Sequence, residues 1–181
     1  MDYQCRTNYR GKFGQPRKDT KNHKKISLIT GAKSIITNYD RYVGYTKGIY
    51  ENDIPLNADY IKFGRFGLKF GKKALEELIS LEERPSAVIA GNSFMTAGIL
   101  LKAREKKISI PEELSLISFG NISNSELITP KLTFIDERVD FIGKRAAELL
   151  LASLKNKNLK NRSVKINTEI NEGASTAYLK N

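Results

Sequence analysis

Tryptophan is absent from this 181-residue chain, which holds one cysteine, Cys5, and one histidine, His23. A lone cysteine closes no internal disulfide. One cysteine and one histidine also cannot supply the usual zinc sites, a Cys-His nucleophile pair or a Ser-His-Asp triad. No apolar run approaches the roughly 20 residues of a membrane-spanning helix, and residues 1–18 have no apolar stretch of the kind a secretory signal needs. The expected compartment is therefore the cytoplasm, with no membrane partner. What is present suffices for a core. Hydrophobic residues make up 40% of the chain, and a domain of this size buries about 70% of its unfolded surface without disulfide or metal.

Lysine and arginine outnumber aspartate and glutamate 31 to 20, for a formal net charge of +11. Residues 1–25 alone contribute a net +6, from Arg6, Arg10, Lys12, Arg17, Lys18, Lys21, Lys24 and Lys25 against Asp2 and Asp19. Such an arm can release counterions from nucleic-acid phosphates. It can equally be a solvated, disordered segment, because with Gly11, Gly14, Pro16 and few apolar side chains it cannot offset its ordering entropy.

From Lys24 the sequence alternates strand and helix signals. Apolar runs at 25–30, 58–63, 85–90 and 114–119, closed by Gly31, Gly64, Gly91 and Gly120, read as strands. Helical spacing is predicted over 38–50, with Tyr42, Tyr45 and Ile49 inward, over 72–82, with Ala74, Leu75, Leu78 and Ile79, and over 94–106. The order βαβαβαβ implies an α/β fold, a parallel sheet with helices on both faces. Right-handed crossovers then place the C-terminal strand ends along one rim, where ligands bind in such sheets. After Pro130 come a further strand at 132–135, a helix over 139–154, a Lys/Asn-rich loop at 155–161 and a last strand at 164–170.

Three ordered blocks on this framework carry a family resemblance: Arg84 to Gly98, Ile110 to Asn121 and Thr129 to Ile135. They resemble the effector-binding core of the lactose-repressor (LacI/GalR) family, and Arg41-Tyr42-Val43-Gly44-Tyr45 resembles the start of a helix in the same domain. The likeness runs from about Lys24 to Thr176. It implies a non-enzymatic, effector-sensing part of a transcriptional regulator with a two-lobed, periplasmic-binding-protein-like architecture. On that plan residues 1–24 are the arm and 25–128 the second lobe. Residues 129–162 are a strand and helix crossing to a first lobe that is largely missing, and 163–181 are a returning strand and tail. No residues here match a helix-turn-helix, so the resemblance implies an N-terminally truncated product. DNA would be contacted only through that absent segment. The helix at 139–154 would have to fold onto its own lobe, dimerise or stay exposed. A homodimer or a heterodimer with related regulators is expected. A stand-alone modulator, an inert fragment and a small doubly wound enzyme remain alternatives.

Carried over by position, Thr37 and Arg41 fall where the family lines its effector pocket. An arginine there can form a planar fork to ligand oxygens; a solvated surface charge is the other reading. Phe66 matches an aromatic that stacks on a ligand ring, or is a core side chain. Asn92, Ser93, Asn121 and Arg65 complete the candidate set. Ser93 and Gly120 stand where the family favours aspartate, and Arg65 where an acid is common, so the rim shifts from acidic toward neutral or basic. With Arg41 and Arg65 in place, the expected effector is a sugar, and more specifically a sugar acid or sugar phosphate. No catalytic residue, metal or cofactor is implied. The glycines at 64, 67 and 71 fit neither the dinucleotide nor the Walker A spacing. Asp136 and Glu137, being adjacent, are expected to diverge and to be structural or solvated.

Overall fold

A computed structural model describes residues 22–123, 125–155 and 163–179. Six strands form one sheet: β1 (Ile26–Gly31), β2 (Ile61–Gly64), β3 (Ala87–Ala90), β4 (Ser115–Phe119), β5 (Thr133–Asp136) and β6 (Glu169–Asn171), in the spatial order β2-β1-β3-β4-β5-β6. The first five are mutually parallel, and β6 runs antiparallel on the edge beside β5. Four helices accompany them: α1 (Ile36–Glu51), α2 (Leu68–Ile79), α3 (Ser93–Glu105) and α4 (Val139–Lys155). The chain leaves β1 toward β2 and then crosses back to β3. Strand order therefore reverses between β1 and β3, the point at which ligands bind in open sheets of this kind.

Alternation along each strand sends side chains to two cores. Ile29, Val88, Ala90 and Leu116 pack with Leu75 and Leu78 of α2 and Met95 and Ile99 of α3. Leu28 packs on the other face with Tyr45 and Ile49 of α1 and with Ile54. Right-handed crossovers require this division, because the path from β1 to β2 runs opposite to the paths from β2 to β3 and from β3 to β4.

Helices α2 and α3 touch backbone to backbone. A Cβ on Gly71 would lie 2.2 Å from the Met95 carbonyl oxygen, and one on Gly98 would lie 2.2 Å from that of Leu68. This contact explains why α2 begins at Leu68 rather than at Lys72 as the spacing predicts. Gly71 reads as a helix breaker in the sequence, yet the helix uses it to admit its neighbour. The glycine-rich loop is thus a packing device: Gly64 faces the Phe70 ring and Gly67 opens α2 at φ +142°.

The opposite rim is pinned by His23. Its Nε2–H donates to the Ala177 carbonyl at 3.0 Å, and the ring also contacts the hydroxyls of Ser86 (2.8 Å) and Ser115 (3.1 Å). Ser175 closes the adjoining gap, donating to Leu116 O at 2.6 Å and accepting from Thr133 N at 2.8 Å. The C-terminal segment is thereby fastened across β4 and β5.

Two expectations need correction. The strand at 132–135 does not cross to another lobe; as β5 it pairs in parallel with β4, Phe119 opposite Ile135, and extends this sheet. Its strand period matched a lobe boundary only by analogy. The last strand is three residues, 169–171, rather than 164–170. Edge pairing with β5 is available only there, and 163–168 run without ladder partners. Helix α4 forms as expected, but none of its residues is buried, and Leu150, Leu151 and Leu154 are exposed. The basic arm at 1–21 and the loop residues 156–161 lie outside the described residues.

Candidate functional site

The rim is assembled from four strand ends. Beyond β1, Asn38 on the first turns of α1 is fully buried, and its amide donates to Ala32 O at 3.1 Å. One turn on, Arg41 turns inward. Its Nη1 donates to Asn38 Oδ1 at 3.3 Å, its Nη2 to Glu137 Oε1 at 2.7 Å, and its guanidinium carbon stands 4.8 Å from the centre of the Phe119 ring. The Arg41 side chain is only 9% exposed and that of Glu137 27%. Stacking on an aromatic face is a planar guanidinium's habit. Two buried polar atoms here have no hydrogen-bond partner among the described residues, Arg41 Nε and Thr30 Oγ1. Buried donors are ordinarily paired, so such orphans mark a place where something else supplies the partner.

Beyond β2, the Phe66 ring lies against Gly31: a Cβ there would meet Phe66 Cζ at 2.7 Å and Asn38 Nδ2 at 2.4 Å. Only glycine lets the ring approach the end of β1 this closely. Phe66 is 46% exposed, an aromatic side chain at this rim beside the buried Asn38. Beyond β3, Asn92 is the N-cap of α3, its Oδ1 accepting from Met95 N at 2.8 Å, and Ser93 opens that helix, half-buried. Gly91 abuts Thr30. Beyond β4, Gly120 sits at φ +74° with its amide on Ile135 O at 2.9 Å. Glycine adopts this left-handed conformation without steric cost.

Arg41 and Phe66 are thus drawn together around Gly31 and Asn38. The other candidates are less engaged. Thr37 and Arg65 are exposed, and Asn121 is exposed and occupied in its own turn, donating to Ser125 Oγ at 3.0 Å and accepting from Ile122 N at 2.9 Å.

Of the two expected roles for the adjacent carboxylates, the structural one holds. They diverge, Asp136 accepting from Arg138 N at 2.7 Å, while Glu137 enters the rim as the counter-ion of Arg41. Sequence reasoning missed Asn38 and Phe119. Asn38 was legible only as a helix-start polar residue, and Phe119 as one more strand apolar; their meeting needed the sheet. Among the described residues no cluster of three or more His, Cys, Asp or Glu could hold a metal ion, and no helix is long and apolar enough to cross a membrane.

A family model described as a periplasmic binding protein-like domain matches residues 20–176. The HTH-type transcriptional repressor PurR of Shigella sonnei is 32% identical over 155 residues, covering 86% of this chain and 46% of that protein. The chain therefore spans about half the length of the curated relatives it matches. Among solved structures, the transcriptional regulator LacI of Bacillus cereus subsp. cytotoxis superposes with a TM-score of 0.83 at 26% identity, over 87% of this chain and 56% of that one. A LacI family regulator from Enterococcus faecium, solved with bound ribose, gives a TM-score of 0.78 at 26% identity, over 88% and 59%.

Proposed function

Since this chain belongs to the periplasmic binding protein-like domain family, in the form found in LacI-type regulators, we propose that it is the effector-sensing part of such a regulator and that the effector is a small polyhydroxyl compound of the sugar class. Arg41 carries this reading: a guanidinium at the switch-point rim, fixed by Asn38, Phe119 and Glu137, with a buried Nε–H lacking a partner. Phe66 beside it offers an apolar face for a ring. The ribose held by the Enterococcus faecium relative supports the ligand class. Asn92, Ser93, Asn121, Thr37 and Arg65, on the loops and helix starts of the same rim, are assigned as secondary contacts.

The chain works without chemistry of its own, in the cytoplasm, by binding. Operator contact is assigned to a helix-turn-helix outside these residues, and assembly to a homodimer or to a heterodimer with a related regulator. Thermal denaturation tests the sensing role. Millimolar D-ribose raises the melting temperature of the wild-type chain, by mass action on the folded state, and leaves the Arg41→Gln variant unmoved. Equal shifts in both, or none with any of a panel of pentoses and hexoses, would remove the assignment.

A further inference from the structure

The Arg41–Glu137 pair changes which ligand the rim can take. Two arginines without the usual acids point, in sequence, to an anionic effector. The folded rim does not leave Arg41 uncompensated: a carboxylate of the chain itself sits 2.7 Å away, with both side chains largely withdrawn from water. In a site of reduced dielectric such a carboxylate cancels most of the guanidinium's field and repels a second anion at close range. The other charge on the joint is also committed, since Arg138 turns to Glu169 at 3.3 Å and over the Phe141 ring. Arg65 is exposed to solvent, where its field is screened.

The pair is nonetheless incompletely satisfied in a complementary way. Arg41 keeps a buried Nε–H without an acceptor. Glu137 engages Arg41 through Oε1, and its Oε2 has no partner among the described residues. The unmet donor is buried on the Arg41 side of the pair, and the unmet acceptor belongs to Glu137, the more exposed of the two side chains. A hydroxyl of a neutral polyol supplies the donor that the second Glu137 oxygen lacks, because a hydroxyl can donate as well as accept. An ionised phosphate or carboxylate oxygen can only accept, and it brings a like charge against the Glu137 carboxylate.

We propose that Glu137 is the specificity-determining residue of this rim: by neutralising Arg41 and presenting its own second oxygen to ligand hydroxyls, it selects neutral polyols over anions. The role also supplies an acid to a rim that has serine at position 93 and glycine at 120. The proposal rests on the sensing function assigned above.

Calorimetric titration of the wild-type chain and of the Glu137→Gln variant with D-ribose, ribose 5-phosphate and inorganic phosphate tests it. The glutamine keeps the shape and removes the charge, and matched melting curves establish that both chains are folded. The wild type is expected to bind ribose about tenfold or more tightly than ribose 5-phosphate, and Glu137→Gln to reverse that order. A wild type that prefers the phosphate ester, or a variant with unchanged preference, overturns the proposal. If neither chain binds ribose, its phosphate or any of the panel of pentoses and hexoses, the sensing function falls. Inorganic phosphate, followed by the Arg41 ¹⁵Nε resonance, then decides the role of Glu137 alone. A shift in Glu137→Gln but not in the wild type upholds the charge cancellation, and no shift in either overturns it.

Discussion

Arg41 in α1 and Glu137 beyond β5 are 96 positions apart in the chain, and their side chains meet at 2.7 Å over the buried ring of Phe119. The contact joins the helix after the first strand to the joint before α4. It makes the candidate site a product of strands that are distant in sequence and close along one rim.

That pair should also be measurable in stability. Replacing Arg41 with glutamine leaves a half-buried carboxylate without its counter-ion, and a loss of about 1.5–3 kcal/mol is expected. The Arg41→Gln/Glu137→Gln double variant should lose less than the sum of the singles, a coupling readable by urea denaturation in a double-mutant cycle. Strict additivity would mean that the two groups do not interact in solution.

The close approach of α2 and α3 leaves no room at Gly98. Alanine there drives a methyl carbon onto the Leu68 carbonyl, which must be relieved by moving one helix. A cost of about 1–3 kcal/mol is expected despite alanine's better helix propensity. Gly44, whose Cβ would meet nothing within 4 Å, provides the control: alanine in that helical position should be neutral or stabilising by up to about 1 kcal/mol.

His23→Ala should loosen the C-terminal segment. It strips the ring from Ser86, Ser115 and the Ala177 carbonyl, and buried polar groups left without partners cost about 1–3 kcal/mol. Hydrogen exchange at Ala177, whose amide donates to Ser115 Oγ at 3.0 Å, should accelerate more than exchange at Leu28 in the sheet centre. Uniform acceleration would instead mean that the histidine acts only on global stability.

Acid sensitivity is expected from the surface network between α2 and α3. The Lys106 hydrogen bond, followed by that of Lys102, holds the Glu76 carboxyl below its ordinary 4.5, and Lys72 does the same for Glu105. A lowered folded-state value means a contribution fully present above the ordinary carboxylate value and lost as pH falls through the folded one. The melting difference between wild type and Glu76→Gln should therefore be largest at neutral pH and shrink below about pH 4.5. It should shrink also in high salt, because these pairs are exposed.

Burial at Tyr45 acts in the opposite direction. It pushes the phenol far above its ordinary 10, with Tyr60 adding to the effect, while the hydroxyl donates to Ile26 O at 2.8 Å. Tyr45→Phe should cost about 1 kcal/mol. Spectrophotometric titration should show one fewer tyrosine that resists ionisation until the fold gives way.

The strands at 25–30 and 114–119 and the helix at 38–50 were legible because their signals are local. A run of apolar residues ended by glycine, and a repeat near 3.6, need no partner to be read. The start of α2 was not, because a glycine's intrinsic penalty is visible in sequence while the helix that rewards its small size is not. The partner of β5 was equally hidden, since strand period says that a strand forms and nothing about which edge it joins.

Composition and order alone determined that this chain has no disulfide framework, that strands and helices alternate, and that Phe66 follows a strand end at the rim; Arg41 was placed there by its resemblance to the family. The tertiary structure decided the charge of that rim. A carboxylate that sequence places beside another acid, beyond the fifth strand, comes within hydrogen-bonding distance of Arg41 because parallel pairing carries the ends of β1, β4 and β5 to the same edge of the sheet. Charge neutralisation depends on distance in space, and distance in sequence carries no measure of it.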